Sequence, residues 1–515
     1  MRKMNVAKIA LGAAGLAGAS ALGYQALNAT PKLELDPARK TPVRVLVAGG
    51  GYIGLIAAQN LRRYYTPEQV QITVVDPRTY MTYQPFLPEA AGGNIEARHV
   101  VAPHRIALKG CELIVGSIEN INHAQHQVTI RPETGEQHQG EVETYTREYD
   151  ELIIGLGAQP RTLPIPGLAD MALGFKQVEE AINLRNRVLT KIETASSTQD
   201  LAERERLLTF VFVGGGFAGI EAIGEVEDMA RAAVKRIDNL DMDMLRFVMV
   251  EGARRILPEL GEELGGYALE QLNSRGIEVK LNTFLNSCEN GHIVLSNGEE
   301  FEADTLVWTA GVKANPVLAD SDLPLDERDR VRANAALQVV DGETVVPGAW
   351  AAGDCAAVPD LTAPGNATCP PTAQHAVRQG KSLAQNLAAH LAGEPLSNYS
   401  HKNVGTVASL GLMKGVAEIM GVKLRGPMAW FAHRSYHMLA MPTWNRKARI
   451  VADWSMAMLF QREIVALGSL TSPRAAFRQA AEADAARRAQ RSADKEPAKV
   501  ISSPATPTQK ERVEK

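Results

Sequence analysis

Two short stretches of this chain combine the residue types that hold a phosphate. Gly49-Gly50-Gly51-Tyr52-Ile53-Gly54 follows the apolar run 43–49, and Gly214-Gly215-Gly216-Phe217-Ala218-Gly219 follows the apolar run 208–213. In each, the first glycine (Gly49, Gly214) makes a tight turn and the second (Gly51, Gly216) lets a pyrophosphate approach the backbone. The third (Gly54, Gly219) lets a helix pack on its strand. The free N–H groups and the dipole at the start of that helix then favour an anion. Tyr52 and Ile53, inside the first turn, count with it as binding residues. An acid closes each unit: Asp76 after "VQITVVD" and Glu251 after "LRFVMVE". That is the position from which a carboxylate hydrogen-bonds ribose hydroxyls. Glu251 would repel a 2′-phosphate, favouring a dinucleotide with a free 2′-hydroxyl; Arg254 and Arg255 beside it face solvent or reach such a phosphate. A single glycine turn is weak evidence. Strand, turn, helix and spaced acid together, occurring twice, read as two dinucleotide sites.

The elements that must position these residues follow from the apolar pattern. Helices are expected over 55–65 and 220–234, each between two strands, so both units are β-α-β. They lie about 165 residues apart, too far for a solenoid repeat. Three more strands end in small-residue turns: "ELIIGLGAQP" at Gly155 and Gly157, "DTLVWTAGVKANP" at Gly311, and "WAAGDCA" at Gly353-Asp354. Proline-containing stretches at 159–167 and 310–320 look like crossovers. The expected fold class is α/β, with two Rossmann-like dinucleotide-binding domains and a C-terminal membrane-interacting segment. The boundaries are 1–40 for an N-terminal apolar segment, 41–165 with 319–395 for a discontinuous first domain, and 166–318 for the second. A membrane-associating region at 396–470 and a charged, disordered tail at 471–515 complete the chain, the tail starting with one marginal helix.

Composition excludes some classes. The 515 residues carry a net charge of −4 with 22% charged residues, so no basic domain is present to bind nucleic acid. The four cysteines (Cys111, Cys288, Cys355, Cys369) form no C-x-x-C pair and no metal-ligand spacing. They fit a reducing compartment.

Beyond the turns, the motifs "YQPFLPEAAGG", "VGGGFAGIEAIGEVED", "DTLVWTAGVKANP", "WAAGDCA" and above all "CPPTAQHAVRQG" resemble the type II NADH:quinone oxidoreductases. These are single-chain, non-proton-pumping NADH dehydrogenases within the two-dinucleotide-binding flavoprotein superfamily. The resemblance runs from about 43 to 465. It implies FAD on Gly49, Gly51, Gly54 and Asp76, with Asp354 on the ribityl chain, and NADH on Gly214, Gly216, Gly219 and Glu251. It implies that Glu221 stands near nicotinamide and flavin, and that Gln374 and Gln379, with His375 between them, line the flavin ring and quinone pocket. Taken alone, those two glutamines would be ordinary polar residues on a helix surface. The resemblance also implies a menaquinone or ubiquinone acceptor and a homodimer. Phe217-Ala218 departs from the usual Pro-Thr, and Phe217 would narrow the nicotinamide entrance. No cysteine pair follows the first unit, so dithiol chemistry is excluded there; a sulfide:quinone reductase would have to use Cys355 and Cys369. The competing readings are a reductase of a soluble protein acceptor and a redox-sensing FAD–NADH binding protein.

Two terminal regions bear on location. In 427–462, Trp430, Phe431, Tyr436, Met438, Leu439, Met441 and Trp444 interleave with His433, Arg434, Arg446, Lys447 and Arg449. Apolar rings entering the acyl boundary with basic groups on anionic lipid would suit an interfacial segment, which puts the protein peripherally on the cytoplasmic face of the cell membrane. The charge-free run 9–31 is shaped like a signal or a span. Secretion would separate the enzyme from NADH, so an uncleaved anchor or a packed helix is expected.

Overall fold

The computed structural model describes residues 32–39, 42–134, 142–402, 405–460, 462–466 and 475–493. The apolar run 9–31 and the tail beyond 493 lie outside the described residues. Through residue 465 the chain forms one unit, in which a mixed sheet with a parallel centre and a second, parallel sheet carry the two glycine turns.

The larger sheet has eight strands. Val43–Ala48 and Glu151–Ile154 lie at its centre, with Val70–Asp76 and Glu112–Asn122 on one side and Thr344–Ala351 and Gln338–Asp341 on the other. The central pairs are parallel, Val45 facing both Ile72 and Glu151. Val43–Ala48 is buried at every residue but Arg44, as a parallel strand covered on both faces must be. The second sheet has five parallel strands, in the order Ala172–Leu173, Thr305–Trp308, Thr209–Val213, Arg246–Val250 and Ile277–Lys280. Val213 lies between Val250 and Trp308, so the second glycine turn leaves from the middle of this sheet.

The chain passes between the sheets where the prolines suggest. Ala158–Pro160 and Val312–Ala314 pair antiparallel as a two-stranded ribbon. The helices begin earlier than the apolar pattern implies, at Tyr52 rather than 55 and at Phe217 rather than 220. Each glycine turn delivers the chain straight into its helix, so no connecting residues are needed.

Helix Ala373–Ala392 carries most of the "CPPTAQHAVRQG" motif, with Thr372 Oγ1 accepting the His375 N–H at 3.3 Å as its N-cap. It packs on helix Tyr52–Tyr64. A Cβ on Gly380 would stand 3.2 Å from Ile56 Cβ, so the small residue sets how closely the two helices approach.

Region 396–470 combines a small sheet with two helices. A three-stranded antiparallel sheet, Gly405–Ser409, Gly415–Ile419 and Val422–Arg425, comes first. Helices Gly426–Ala440 and Trp444–Phe460 follow. The described part of the tail is one helix, Ala475–Ala493. Among the described residues, no helix is long and apolar enough to cross a membrane.

Candidate functional site

The two glycine turns have the same construction. Gly49 and Gly214 adopt φ of +96° and +112°, a region that penalises any side chain. A Cβ on Gly54 would lie 1.8 Å from Gly49 O, and one on Gly219 would lie 2.0 Å from Gly214 O. The helix backbone therefore presses against its own turn in both units. A Cβ on Gly51 or Gly216 would meet nothing within 4 Å. These two residues are the N-caps of their helices, and neither makes a side-chain cap hydrogen bond. Each unit thus presents uncapped N–H groups to open space, which is what a pyrophosphate requires.

The acids clamp the turns. Asp76 Oδ2 accepts the Gly50 N–H at 2.7 Å, and its Oδ1 accepts the Arg78 N–H at 2.7 Å. Glu251 repeats this with Gly215 N at 2.5 Å and Ala253 N at 2.6 Å. Each carboxylate oxygen keeps a second lone pair for a ribose hydroxyl. Arg255 is turned away, donating to Pro258 O at 2.8 Å, while exposed Arg254 lies 3.6 Å from Glu262. Two residues add to the clamps that the motifs do not announce. His104 Nε2 lies 2.8 Å from Gly50 O, and Thr309 Oγ1 donates to Val213 O and Gly214 O at 2.9 and 3.0 Å.

Gly157, Gly311 and Gly353 all adopt positive φ at strand ends. Gln379, far from being a surface residue, is 1% exposed and accepts the Gly353 N–H through Oε1 at 2.8 Å. It thereby fixes the turn that presents Asp354, whose Oδ2 lies 3.4 Å from Lys176 Nζ. Gln374 points elsewhere. Its Nε2 donates to Gly405 O at 3.1 Å, and its Oε1 lies 3.2 Å from His401 Nε2. His375 is buried with Nδ1 2.9 Å from the Tyr399 hydroxyl. Burial lowers its pKa, so at neutral pH it carries no proton to spare. The Cys355 and Cys369 thiols donate to Ala352 O and Pro359 O. Burial pushes both up to about 11, so neither is the thiolate that sulfur chemistry needs.

Glu221, on helix Phe217–Val234, is 6% exposed and accepts the Ser409 N–H at 2.9 Å. Burial raises its pKa to about 8, only partly offset by that hydrogen bond. His433 Nε2 stands 2.9 Å from Glu221 Oε1, and burial together with Arg434 holds this imidazole neutral, at about 3. One turn along, His437 Nδ1 lies 3.1 Å from the Tyr83 hydroxyl. Two more carboxylates are buried nearby. Glu225 accepts from Asn94 Nδ2 at 2.6 Å. Glu89, in the "YQPFLPEAAGG" stretch, lies 2.8 Å from Arg434 Nη2 and accepts from Trp454 Nε1 at 2.7 Å. Removing one partner from a buried ion pair of this kind costs about 3–5 kcal/mol, more than the ~2 kcal/mol of a desolvated cation–π contact.

These contacts correct the expected orientation of the aromatic-basic segment. Trp430, His433 and Arg434 are 1%, 1% and 5% exposed and face the protein interior, so none of them meets lipid. Phe431, Tyr436, Leu439 and Trp444 are exposed. The reason is that the interior holds buried acids: His433 and Arg434 turn inward to Glu221 and Glu89 beside Trp430, and Phe431, Tyr436 and Leu439 are left outside. Trp430, His433, Arg434 and His437 share one helical face by spacing, which is the sequence signal for this grouping.

The chain matches the model of the pyridine nucleotide-disulphide oxidoreductase family over residues 32–380. Among curated proteins it is 28% identical over 437 residues to the type II NADH:quinone oxidoreductase Ndh of Mycobacterium tuberculosis, covering 81% of this chain and 89% of that one. It is also 28% identical to the type II NADH:quinone oxidoreductase of Staphylococcus aureus, covering 75% of this chain and 92% of that one. Among solved structures, NDH2 of Plasmodium falciparum in complex with NADH superposes with a TM-score of 0.74 at 16% identity, over 82% of this chain and all of that one. The sulfide:quinone oxidoreductase of Aquifex aeolicus shares the fold at a TM-score of 0.59 and 16% identity, over 82% of this chain and 96% of that one.

Proposed function

The chain belongs to the pyridine nucleotide-disulphide oxidoreductase family, and from that premise we propose that it passes electrons from NADH through FAD to a membrane quinone, without pumping protons, at the cytoplasmic surface of the membrane. FAD and NADH are its cofactors, and the glycine cradles fit them: each offers an uncapped helix N-terminus with open space at its second glycine. We read 41–165 with 319–395 as the FAD-binding part and 166–318 as the NADH-binding part. FAD, when bound, supplies a carrier that takes hydride from NADH and returns two electrons to the acceptor.

The chain's own residues bind, orient and hold protons. The turn at Gly49, Gly51 and Gly54 with Asp76 anchors FAD, and Gln379 holds the turn from which Asp354 reaches the ribityl chain. The turn at Gly214, Gly216 and Gly219 with Glu251 anchors NADH, and the acid prefers a free 2′-hydroxyl. Glu221 keeps a proton at neutral pH because it is buried with only a backbone N–H and a neutral imidazole beside it. His375, neutral and bound to Tyr399, orients its helix rather than donating a proton.

One observation favours a lipid-borne acceptor. Helix Gly426–Ala440 turns polar side chains toward Glu221 and leaves Met428, Phe431, Tyr436 and Leu439 on its outer side. In water this arrangement is inverted, whereas at a bilayer surface it is the favourable one. The purified protein is therefore expected to float with anionic vesicles in a density gradient, and the double variant Phe431→Glu/Leu439→Glu to remain at the bottom. Flotation of both would overturn the role given to this helix. The decisive test of function is anaerobic: NADH should bleach the flavin absorbance, and menadione should restore it. Bleaching without recovery by any quinone would move the assignment to a protein acceptor.

A further inference from the structure

A group of buried polar side chains lies where helix Gly426–Ala440 meets the core. His433 and Arg434 are adjacent in sequence but go to different carboxylates. His433 Nε2 lies 2.9 Å from Glu221 Oε1, and Arg434 Nη2 lies 2.8 Å from Glu89 Oε2. The Arg434 guanidinium also stacks 3.9 Å from the Trp430 ring and 4.9 Å from the Trp454 ring. Trp454 Nε1 donates to the same Glu89 oxygen at 2.7 Å. Helices Gly426–Ala440 and Trp444–Phe460 therefore converge on one oxygen of one residue. That residue lies in the "YQPFLPEAAGG" motif.

We propose that Glu89 and Arg434 form a latch that sets His433 against Glu221, making Arg434 a positioning residue for the proton held there. Consecutive residues on a helix point roughly 100° apart. Fixing Arg434 between two indoles and a carboxylate therefore fixes both the rotation and the height of the helix, and with them the place of His433. This inference rests on the reading of Glu221 as the residue that holds the proton.

The charges around the pocket agree. From the Leu87–Ala91 helix comes Glu89; from Glu221's own helix come Glu225 and Asp228. From helix Gly426–Ala440 come His433, Arg434 and His437, and beyond helix Trp444–Phe460 comes Arg462. Arg434 serves Glu89, and Arg462 lies 3.8 Å from Glu225. Asp228 is met by Arg275 at 2.9 Å. Burial raises all three carboxylates, Glu89 to about 7 and Glu221 to about 8, but arginines pull Glu89 and Glu225 back down, whereas Glu221 has only a backbone N–H and a neutral imidazole close by and keeps its proton. Releasing the latch would let water reach Glu221 and move its titration toward that of an ordinary carboxylate.

The test is stopped-flow re-oxidation of the NADH-reduced holoenzyme by menadione across pH, with flavin content as the control for folding. The wild type should show an inflection that is absent from Glu221→Gln. Arg434→Met should move it down by about one pH unit or more, and Arg434→Lys should recover part of the shift. Trp454→Phe, a milder change that keeps a ring and removes the N–H to Glu89, should shift it in the same direction and decides the matter if Arg434→Met does not fold. A Glu221→Gln enzyme that keeps the wild-type inflection would sink the reading of Glu221, and the latch with it. An inflection that depends on Glu221 but stays in place in the Arg434 and Trp454 variants, whether or not the rate falls uniformly, would overturn the latch alone.

Discussion

Replacing Gly219 with valine is expected to give a yellow protein that NADH reduces far more slowly. The Cβ would fall 2.0 Å from Gly214 O and 2.7 Å from Thr309 Oγ1. Gly214 O is backbone, and Thr309 is itself tied to the turn by two hydrogen bonds, so the side chain has nowhere to go. Overpacking typically costs about 1–3 kcal/mol against a domain stability of about 5–15 kcal/mol. The fold should survive while the turn gives way. Displacing the helix N-terminus by about 1 Å should slow NADH-dependent bleaching by at least about 10²-fold. The first turn is untouched, so FAD content should be normal, and the dithionite-reduced flavin should still be re-oxidised by menadione. The mirror change, Gly54→Val, puts a Cβ 1.8 Å from Gly49 O and should yield protein lacking FAD. Normal bleaching by NADH in Gly219→Val would show that the second turn is not the NADH site.

Glu221→Gln is expected to act on the other half of the reaction. The amide keeps the shape of the side chain but cannot deliver a proton. Loss of a positioned acid costs about 10²–10⁴-fold, so re-oxidation by menadione should slow by at least about 10²-fold. The pH dependence fixes the sign. Burial raises Glu221 to about 8, so the wild type holds the proton below that pH and loses it above. Its re-oxidation should be fast at neutral pH and decline through about 8, whereas the variant should be flat there. Stability follows the same sign. A folded-state pKa above the unfolded value contributes stability that is complete below the ordinary carboxylate range and is lost as pH rises through about 8. The thermal stability of the wild type should therefore fall across that interval more than that of the variant. An unchanged re-oxidation rate and inflection in Glu221→Gln would remove Glu221 from the reaction.

The glycine turns were readable because their constraints are local. Gly49 and Gly214 need their φ, and Gly54 and Gly219 need their missing side chains, within a few residues of one another. The acids Asp76 and Glu251 and the paired crossovers at Ala158–Pro160 and Val312–Ala314 were visible for similar reasons. Gln379 was different. Its partner is the N–H of Gly353, which spacing within its own helix cannot reveal. The C-terminal sheet was half hidden by its turns: Gly421 adopts φ of +80° in one of them, but Met413 and Met420 adopt φ of +59° and +50°, where asparagine would have announced a hairpin. The inward turn of His433 and Arg434 was hidden by its cause. Two stripes on that helix can be seen in the sequence, but which one faces inward is decided by Glu89 and Glu221, acids placed far away in apolar surroundings.

The ribbon between the sheets also bears on how such a chain finds its fold. Leu152 and Ala349 are parallel neighbours in the larger sheet although the whole second sheet separates them in sequence. Closing so long a loop directly is entropically expensive and slow. Ala158 is paired with Ala314 at the mouth of the intervening region. Once that region has condensed, its two ends leave side by side, and strand Thr344–Ala351 needs to search only a short tether to find Glu151–Ile154. The middle of the chain would then act as the folding template for its flanks, so that a newly made polypeptide completes the larger sheet last.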